Sequence, residues 1–227
     1  MQNYKTDLLD LRRMDCMELM RDTPDNYYSL AICDPPYGIN AGKRHTGMRK
    51  SSSENKRNVK LSDWDSAIPS PEYFEELFRV SENQIICGGN YFNLPPTRGI
   101  ICWDKGMGMR GRSFSEWEFI WTSFDRVARL FYCDLNAGGG AVMSASGRER
   151  ATKIHPTQKP IKLYDYLLHN YAKEGDNILD THGGSMSLAL SCHYKGFHLT
   201  ACEIDQDYFD SGCERVKNKT AQQELSL

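Results

Sequence analysis

The chain has 227 residues, the size of one ordinary domain. Apolar residues make up 40% and charged residues 26%, which excludes a collagen, a coiled coil and a wholly disordered chain. Lys plus Arg number 28 against 30 Asp plus Glu, so the net charge of −2 gives no sign of a nucleic-acid partner, although its distribution does.

The amino terminus, Met1 to Asp7, has no apolar core of the signal-peptide kind, and no apolar run reaches the length of a membrane span. The expectation is a cytoplasmic protein. The eight cysteines (Cys16, Cys33, Cys87, Cys102, Cys133, Cys192, Cys202 and Cys213) include no C-x-x-C pair, so no metal site is expected. Several lie in apolar runs and read as buried free thiols.

In chain order, strands are predicted over Leu8–Leu11, Ser29–Cys33, Gln84–Cys87, Ile100–Trp103, Phe119–Thr122, Asn177–Leu179 and His198–Cys202. Helices are predicted over Cys16–Arg21, Pro71–Val80, Ile161–Tyr171, Ser185–Tyr194 and Asp205–Lys219. The alternation predicts one α/β domain spanning residues 1–227. Ser70 and Pro71 give the second helix a good entrance, and Asp205 caps the last. Two segments are too long and polar for ordinary connections: a basic loop over 41–60 and a small-residue segment over 134–153.

The sharpest motif is Asp34-Pro35-Pro36-Tyr37-Gly38, directly after an apolar strand. Ligands of open α/β sheets bind at the carboxyl ends of strands. The two prolines fix an extended path and remove two N–H donors, leaving the Pro35 carbonyl as a rigid acceptor beside the Asp34 carboxylate. Tyr37 adds a flat face for stacking. Two acceptors and a flat face suit a planar exocyclic amine. Held by both hydrogens, its nitrogen is biased towards tetrahedral geometry and its lone pair is freed. A rigid proline turn capped by Asp34 is the bland alternative.

A second motif is Asp180-Thr181-His182-Gly183-Gly184-Ser185, where a strand runs through a glycine turn into a helix, with Glu203 following 23 residues after Asp180. That layout suits a nucleoside ligand: glycines permit close backbone approach and the acid meets ribose hydroxyls. The G-x-G-x-x-G fingerprint and the P-loop are both absent, so a ribose without phosphates, such as that of S-adenosylmethionine, fits better. The third motif is His155-Pro156-Thr157-Gln158-Lys159-Pro160, before the helix at Ile161.

Together these motifs resemble the amino methyltransferases of DNA, in the group whose catalytic motif precedes the cofactor motif (the beta-type order). The resemblance implies a circularly permuted, doubly wound, mostly parallel seven-stranded sheet, with the glycine-loop strand central beside Ser29–Cys33. It implies S-adenosylmethionine as cofactor and transfer of its methyl group to adenine N6 of a flipped base. Asp34, Pro35, Pro36 and Tyr37 become the catalytic group. The cofactor group becomes Asp15, Asp34, His155, Thr157, Gln158, Lys159, Asp180, Thr181, Gly183, Gly184, Ser185 and Glu203. Cytosine N4 offers the same amine chemistry; in the family, Asp at the first motif position leans towards adenine. Other readings are an inactive module that only holds DNA or cofactor, and methylation of RNA or of a protein glutamine. The chain departs from the family's Asp-x-Phe-x-Gly-Ser-Gly loop: His182 replaces the aromatic residue and Met186 the last glycine, at a position where a glycine normally lets the cofactor approach, and whether Met186 impairs cofactor binding is left open by the sequence.

Charge is concentrated between Lys43 and Lys60, where Lys43, Arg44, Arg49, Lys50, Lys56, Arg57 and Lys60 face only Glu54. This loop follows Tyr37 directly and predicts phosphate contacts with double-stranded DNA. A smaller basic group is Arg148, Arg150 and Lys153. The resemblance leaves room for a homodimer and for an accompanying restriction enzyme.

Overall fold

The computed structural model describes residues 3–40, 65–111, 115–134, 154–155 and 157–224, with 222–224 described as backbone alone. The basic residues Lys43 to Lys60, most of the 134–153 segment and Pro156 lie outside the described residues.

Nine strands form one sheet: β1 (Asn3–Lys5), β2 (Leu9–Arg12), β3 (Tyr28–Cys33), β4 (Ser81–Cys87), β5 (Ile100–Asp104), β6 (Trp117–Thr122), β7 (Arg129–Tyr132), β8 (Asn177–Asp180) and β9 (His198–Cys202). Their spatial order is β1-β2-β9-β8-β3-β4-β6-β5-β7. The contiguous run β2-β9-β8-β3-β4 is parallel, while β1 and β6 run antiparallel to their neighbours. The α-helices among the described residues are α1 (Cys16–Arg21), α2 (Pro71–Val80), α3 (Ile161–Tyr171), α4 (Ser187–Lys195) and α5 (Gln206–Glu224).

Side-chain alternation sorts the core into two layers. Leu30 and Ile32 of β3 pack with Ile178, Leu163, Leu167, Leu190 and Phe209 on the α3–α4–α5 face. Ala31 and Cys33 pack with Leu179, Leu19, Tyr73 and Leu77 on the α1–α2 face. A strand buried on both faces needs a continuous apolar run, and Leu30-Ala31-Ile32-Cys33 supplies it.

The glycine-loop strand β8 lies beside β3 as expected, in parallel register Leu30↔Ile178 and Ala31↔Leu179. From this pair the chain order diverges, β3 leading to β4 on one side and β8 to β9 on the other. Such a switch point opens a crevice at the carboxyl ends of the two strands. Where seven strands were expected, the described residues form nine. β1 is a three-residue strand on one edge, and β7 pairs parallel to β5 on the other. Neither carries the alternation that marks a strand: β1 reads Asn-Tyr-Lys, and β7 leaves Leu130 and Tyr132 exposed.

Candidate active site

The Asp34 turn is built by its neighbours. Asp65 accepts from the backbone N–H groups of both Tyr37 (2.7 Å) and Gly38 (2.8 Å), and this buried carboxylate fixes the turn. Gly38 sits at φ 70°, a left-handed conformation that favours glycine. Gly88, also left-handed, packs so closely on the Tyr37 ring that a Cβ there would come within 2.3 Å of it. The Tyr37 ring is stacked on Tyr91, centroids 4.8 Å apart and planes 10° apart. The surface predicted to receive a base is thus partly covered by a second, half-exposed aromatic ring.

Asp34 does not stand alone. Lys159 Nζ lies 2.6 Å from Asp34 Oδ2 and 2.9 Å from Glu118 Oε1. Glu118 in turn pairs with Lys105 at 3.1 Å. The Tyr37 hydroxyl lies 2.6 Å from Asp34 Oδ1 and 2.9 Å from Glu118 Oε1, and it accepts from Lys159 at 3.1 Å. The Lys159 side chain is 5% exposed, Glu118 11% and Asp34 21%, so Asp34 presents the cluster to the crevice. The two lysines hold the Glu118 carboxyl down at about 2 against the cost of burial. Burial and the Glu118 charge push Asp34 upward despite its contact with Lys159. Ligand atoms of Asp34, Cys87 and Glu118 fall within 4.8 Å of one another, but the cation bonded to both carboxylates is the Lys159 ammonium.

The hexapeptide joins this cluster to the glycine loop. Its lysine reaches the catalytic side, whereas His155 lies at the loop, its Cδ2 3.9 Å from where a Gly184 Cβ would stand, and packs on Tyr208. Thr157 bonds His155 Nδ1, and Gln158 accepts from the Ile154 N–H at 3.2 Å, so both shape the turn. Lys159, expected with the cofactor group, pairs with Asp34, which the resemblance places in both groups.

In the loop itself, Asp180 Oδ1 accepts from the His182 N–H at 3.0 Å, and burial pushes Asp180 up to about 7. Glu203 accepts from the N–H groups of Gly184 (2.8 Å) and Asp205 (2.9 Å), and burial raises it too. Asp15 caps α1 by accepting from the Met17 N–H. Thr181 bonds the Tyr73 hydroxyl at 2.6 Å and His182 Nδ1 at 2.9 Å. Burial lowers His182 to about 4, so it is neutral at physiological pH. Ser185 bonds the Ser187 hydroxyl, and Arg215 of α5 holds its carbonyl.

Met186 stands where the family loop has its last glycine. Its backbone keeps a glycine-like conformation at φ 55°. Its side chain is 1% exposed and lies between Gly183 and Gly212, where a Cβ on Gly212 would come within 2.6 Å of Met186 Cγ. The methionine turns into the core, and Gly212 of α5 makes the room.

Sequence reasoning missed Glu118 and Asp65. Glu118 left one trace: a charged residue inside the apolar strand Trp117-Glu118-Phe119-Ile120-Trp121 must be paired if buried.

Parts of the sequence and the fold that carry this arrangement have counterparts in known proteins. The N6/N4 methyltransferase model, described as DNA methylase, matches residues 113–214. Over that stretch the chain is similar to the N6/N4 DNA methylases. It is 23% identical over 235 residues to the type II methyltransferase M.HpaI of Haemophilus parainfluenzae, covering 90% of this chain and 73% of that protein. In structure it resembles PvuII DNA methyltransferase (cytosine-N4-specific), with a TM-score of 0.57 at 13% identity over 95% of this chain and 92% of the other. The SAM complex of M1.HpyAVI gives 0.56 at 16% identity over 92% of this chain and all of that one. These likenesses bear out the methyltransferase fold expected for this chain. Among its described residues no helix is long and apolar enough to cross a membrane.

Proposed function

We propose that the protein methylates adenine N6 in double-stranded DNA, acting on a base turned out of the stack, with S-adenosylmethionine as methyl donor. The observation that carries this reading is Asp34: a half-buried carboxylate beside the Pro35 carbonyl, at the crevice between β3 and β8. Extrusion of a base costs a few kcal/mol and is what lets its amine reach such a recess.

The crevice suits the donor. Glu203 is anchored on the Gly184 N–H, at the height where a ribose would meet the glycine turn, and a Cβ on Gly184 would meet nothing closer than His182 O at 3.8 Å and His155 Cδ2 at 3.9 Å. Asp180 is a buried carboxyl raised by desolvation, and a positively charged ligand relieves that. S-adenosylmethionine supplies a methyl group on a sulfonium leaving group. Asp15, His155, Thr157, Gln158, Asp180, Thr181, Gly183, Gly184, Ser185 and Glu203 would hold it. Asp34 and the Pro35 carbonyl accept the two amine hydrogens and orient the nitrogen, so positioning supplies most of the rate. Asp34 then takes the proton that the methylated amine releases. We read the chain order, catalytic strand before glycine loop, as a circular permutation.

The basic run from Lys43 to Lys60 supports DNA as the partner through phosphate contacts. Replacing Lys43, Arg44, Arg49 and Lys50 by Ala should flatten the salt dependence of DNA binding by nearly one log–log unit per lost contact, for all sequences alike. An unchanged slope would remove the loop from the interface.

The decisive experiment is chromatography of nucleosides from DNA incubated with the protein and methyl-labelled donor. N6-methyladenine is expected. N4-methylcytosine would move the reading to the cytosine-N4 specificity of the PvuII enzyme. No labelled base on any DNA would leave an inactive binding module.

A further inference from the structure

The hydrogen bonds around Asp34 do not balance. Lys159 Nζ carries three hydrogens and the Tyr37 hydroxyl one, four in all. They face five close contacts: Lys159 to Asp34, to Glu118 and to the Tyr37 oxygen, and Tyr37 to Asp34 and to Glu118. The three lysine hydrogens fill the three lysine contacts. The single phenol hydrogen is left to serve two carboxylate oxygens, at 2.6 Å and 2.9 Å. One of them faces the phenol oxygen with no hydrogen between. The network is one proton short, and Asp34, its most exposed carboxylate, faces the crevice.

We propose that this shortage is the slot for the proton released by methylation, and that Glu118, through the Tyr37 hydroxyl, is the positioning residue that completes it. The proposal rests on the methyltransferase reading above. As the methylated nitrogen loses its proton, the N–H bond breaks and an O–H bond forms on Asp34 Oδ1. That new O–H donates to the Tyr37 oxygen. The Tyr37 hydroxyl swings its own hydrogen to Glu118 Oε1, already 2.9 Å away. All five contacts then hold a hydrogen. No atom moves far and no second base is needed. Glu118 stays ionised throughout because Lys105 and Lys159 both pair with it. The phenol is buried among carboxylates and keeps its proton, so it passes a hydrogen bond along without ionising. Tyr37 offers its ring as a stacking surface and also acts through its hydroxyl.

The test uses the full chain with Tyr37→Phe, Glu118→Gln and the double variant. Single-turnover methyl transfer should fall about tenfold or more in each single variant, with cofactor affinity unchanged within about twofold. The double variant should be no slower than the slower single one, because both break one relay. Multiplicative losses, or unchanged rates in either single variant, would overturn the relay. Should Glu118→Gln fail to fold, Glu118→Asp keeps the charge but withdraws the oxygen from Tyr37, and the same loss is expected. A measurement without DNA or cofactor separates this inference from the functional reading. With one shared hydrogen, Tyr37→Phe should move the carboxyl 13C resonances of both Asp34 and Glu118. Movement of Asp34 alone would overturn the proposal even in an active enzyme. Movement of both would sustain the shared hydrogen even if no DNA is methylated.

Discussion

At the end of β3, Asp34 and Glu118 are buried against ammonium groups; one strand away, at the end of β8, Asp180 and Glu203 are buried against backbone N–H groups. The first pair comes with its own cations, Lys159 and Lys105, so two negative charges meet two positive ones. The second has only peptide dipoles, and both its carboxyls are raised by burial. The first region is electrostatically complete before any ligand arrives, and so its geometry is set in advance. The second is left wanting a cation. A site that must aim two lone pairs at a neutral amine needs the first arrangement. A site that must attract a sulfonium gains from the second.

The largest expected effect comes from removing the cation of the first region. Lys159→Met leaves Asp34 without its ammonium and Glu118 with Lys105 alone. Breaking a buried pair by removing one partner costs about 3–5 kcal/mol. Denaturant unfolding should show a loss of that order, much reduced in Lys159→Arg, which keeps the charge. A loss under about 1 kcal/mol would mean that the lysine behaves as a surface ion pair, and the contrast between the regions would fail.

The second region should instead show itself through pH. Asp180 lies at about 7 folded against an ordinary carboxyl near 3.8 unfolded. Its folded value is raised, so the unfolded chain ionises first as pH rises. Its contribution therefore favours the fold at low pH and is lost between about 4 and 7, with a slope of at most about 1.4 kcal/mol per pH unit. Asp180→Asn should remove that component from the pH dependence of unfolding. Affinity for a cationic ligand should rise over the same range, as Asp180 takes its charge. Glu118 has the opposite sign: held at about 2, its stabilisation is present above its ordinary range and is lost as pH falls from about 4.5 towards 2.

Most of the fold was legible because its strands and helices carry strong local signals. The strand at Tyr28–Cys33 is an unbroken apolar run, and the helix at Pro71 has its entrance written as Ser-Pro-Glu, although Ser70 makes no side-chain cap bond. The Asp34 turn and the glycine loop were equally legible, since prolines and glycines constrain backbone wherever they stand. The partners of Asp34 were not. Lys159 belongs to a motif, but a sequence cannot say to which side of a turn a long side chain reaches. Glu118 arrives from β6 only through the antiparallel pairing of β6 with β4, a contact of long sequence separation. Asp65 closes the turn from 28 residues away.

Two predictions sharpen the second region. Glu203→Ala removes the carboxylate bonded to the Gly184 N–H, and cofactor binding measured by calorimetry should weaken by roughly 1–3 kcal/mol, the worth of a charged hydrogen bond. Unchanged affinity would place the ribose elsewhere. Gly212→Ala forces a methyl group within 2.6 Å of Met186 Cγ. Overpacking of this kind costs typically about 1–3 kcal/mol, and pressure on Met186 should pass to Gly183, which it also touches. A variant as stable as the parent would mean that Met186 has room to turn elsewhere.

The smallest expected effect tests whether the first region is complete for its substrate as well as for its charges. Tyr91 stacks on Tyr37 and is 37% exposed. A stacked aromatic pair contributes about 0.5–1.5 kcal/mol beyond its buried area, so Tyr91→Ala should lower stability by about that much. Its effect on DNA should be of similar size, about 2–10-fold in KM, but the sign decides a question of geometry. Should the target base stack on Tyr37, Tyr91 occupies its place and must swing out, and the Ala variant binds DNA better. Should the base lie on the outer face of Tyr91, with Tyr37 serving Asp34 from behind, the Ala variant binds DNA worse. Tyr37 already gives its hydroxyl to the charge cluster and its ring to Gly88 and Tyr91. A ring so committed is held in place better than one free to follow a substrate, and this favours the second outcome: a rise in KM on removing Tyr91. A fall in KM would show instead that the aromatic pair opens.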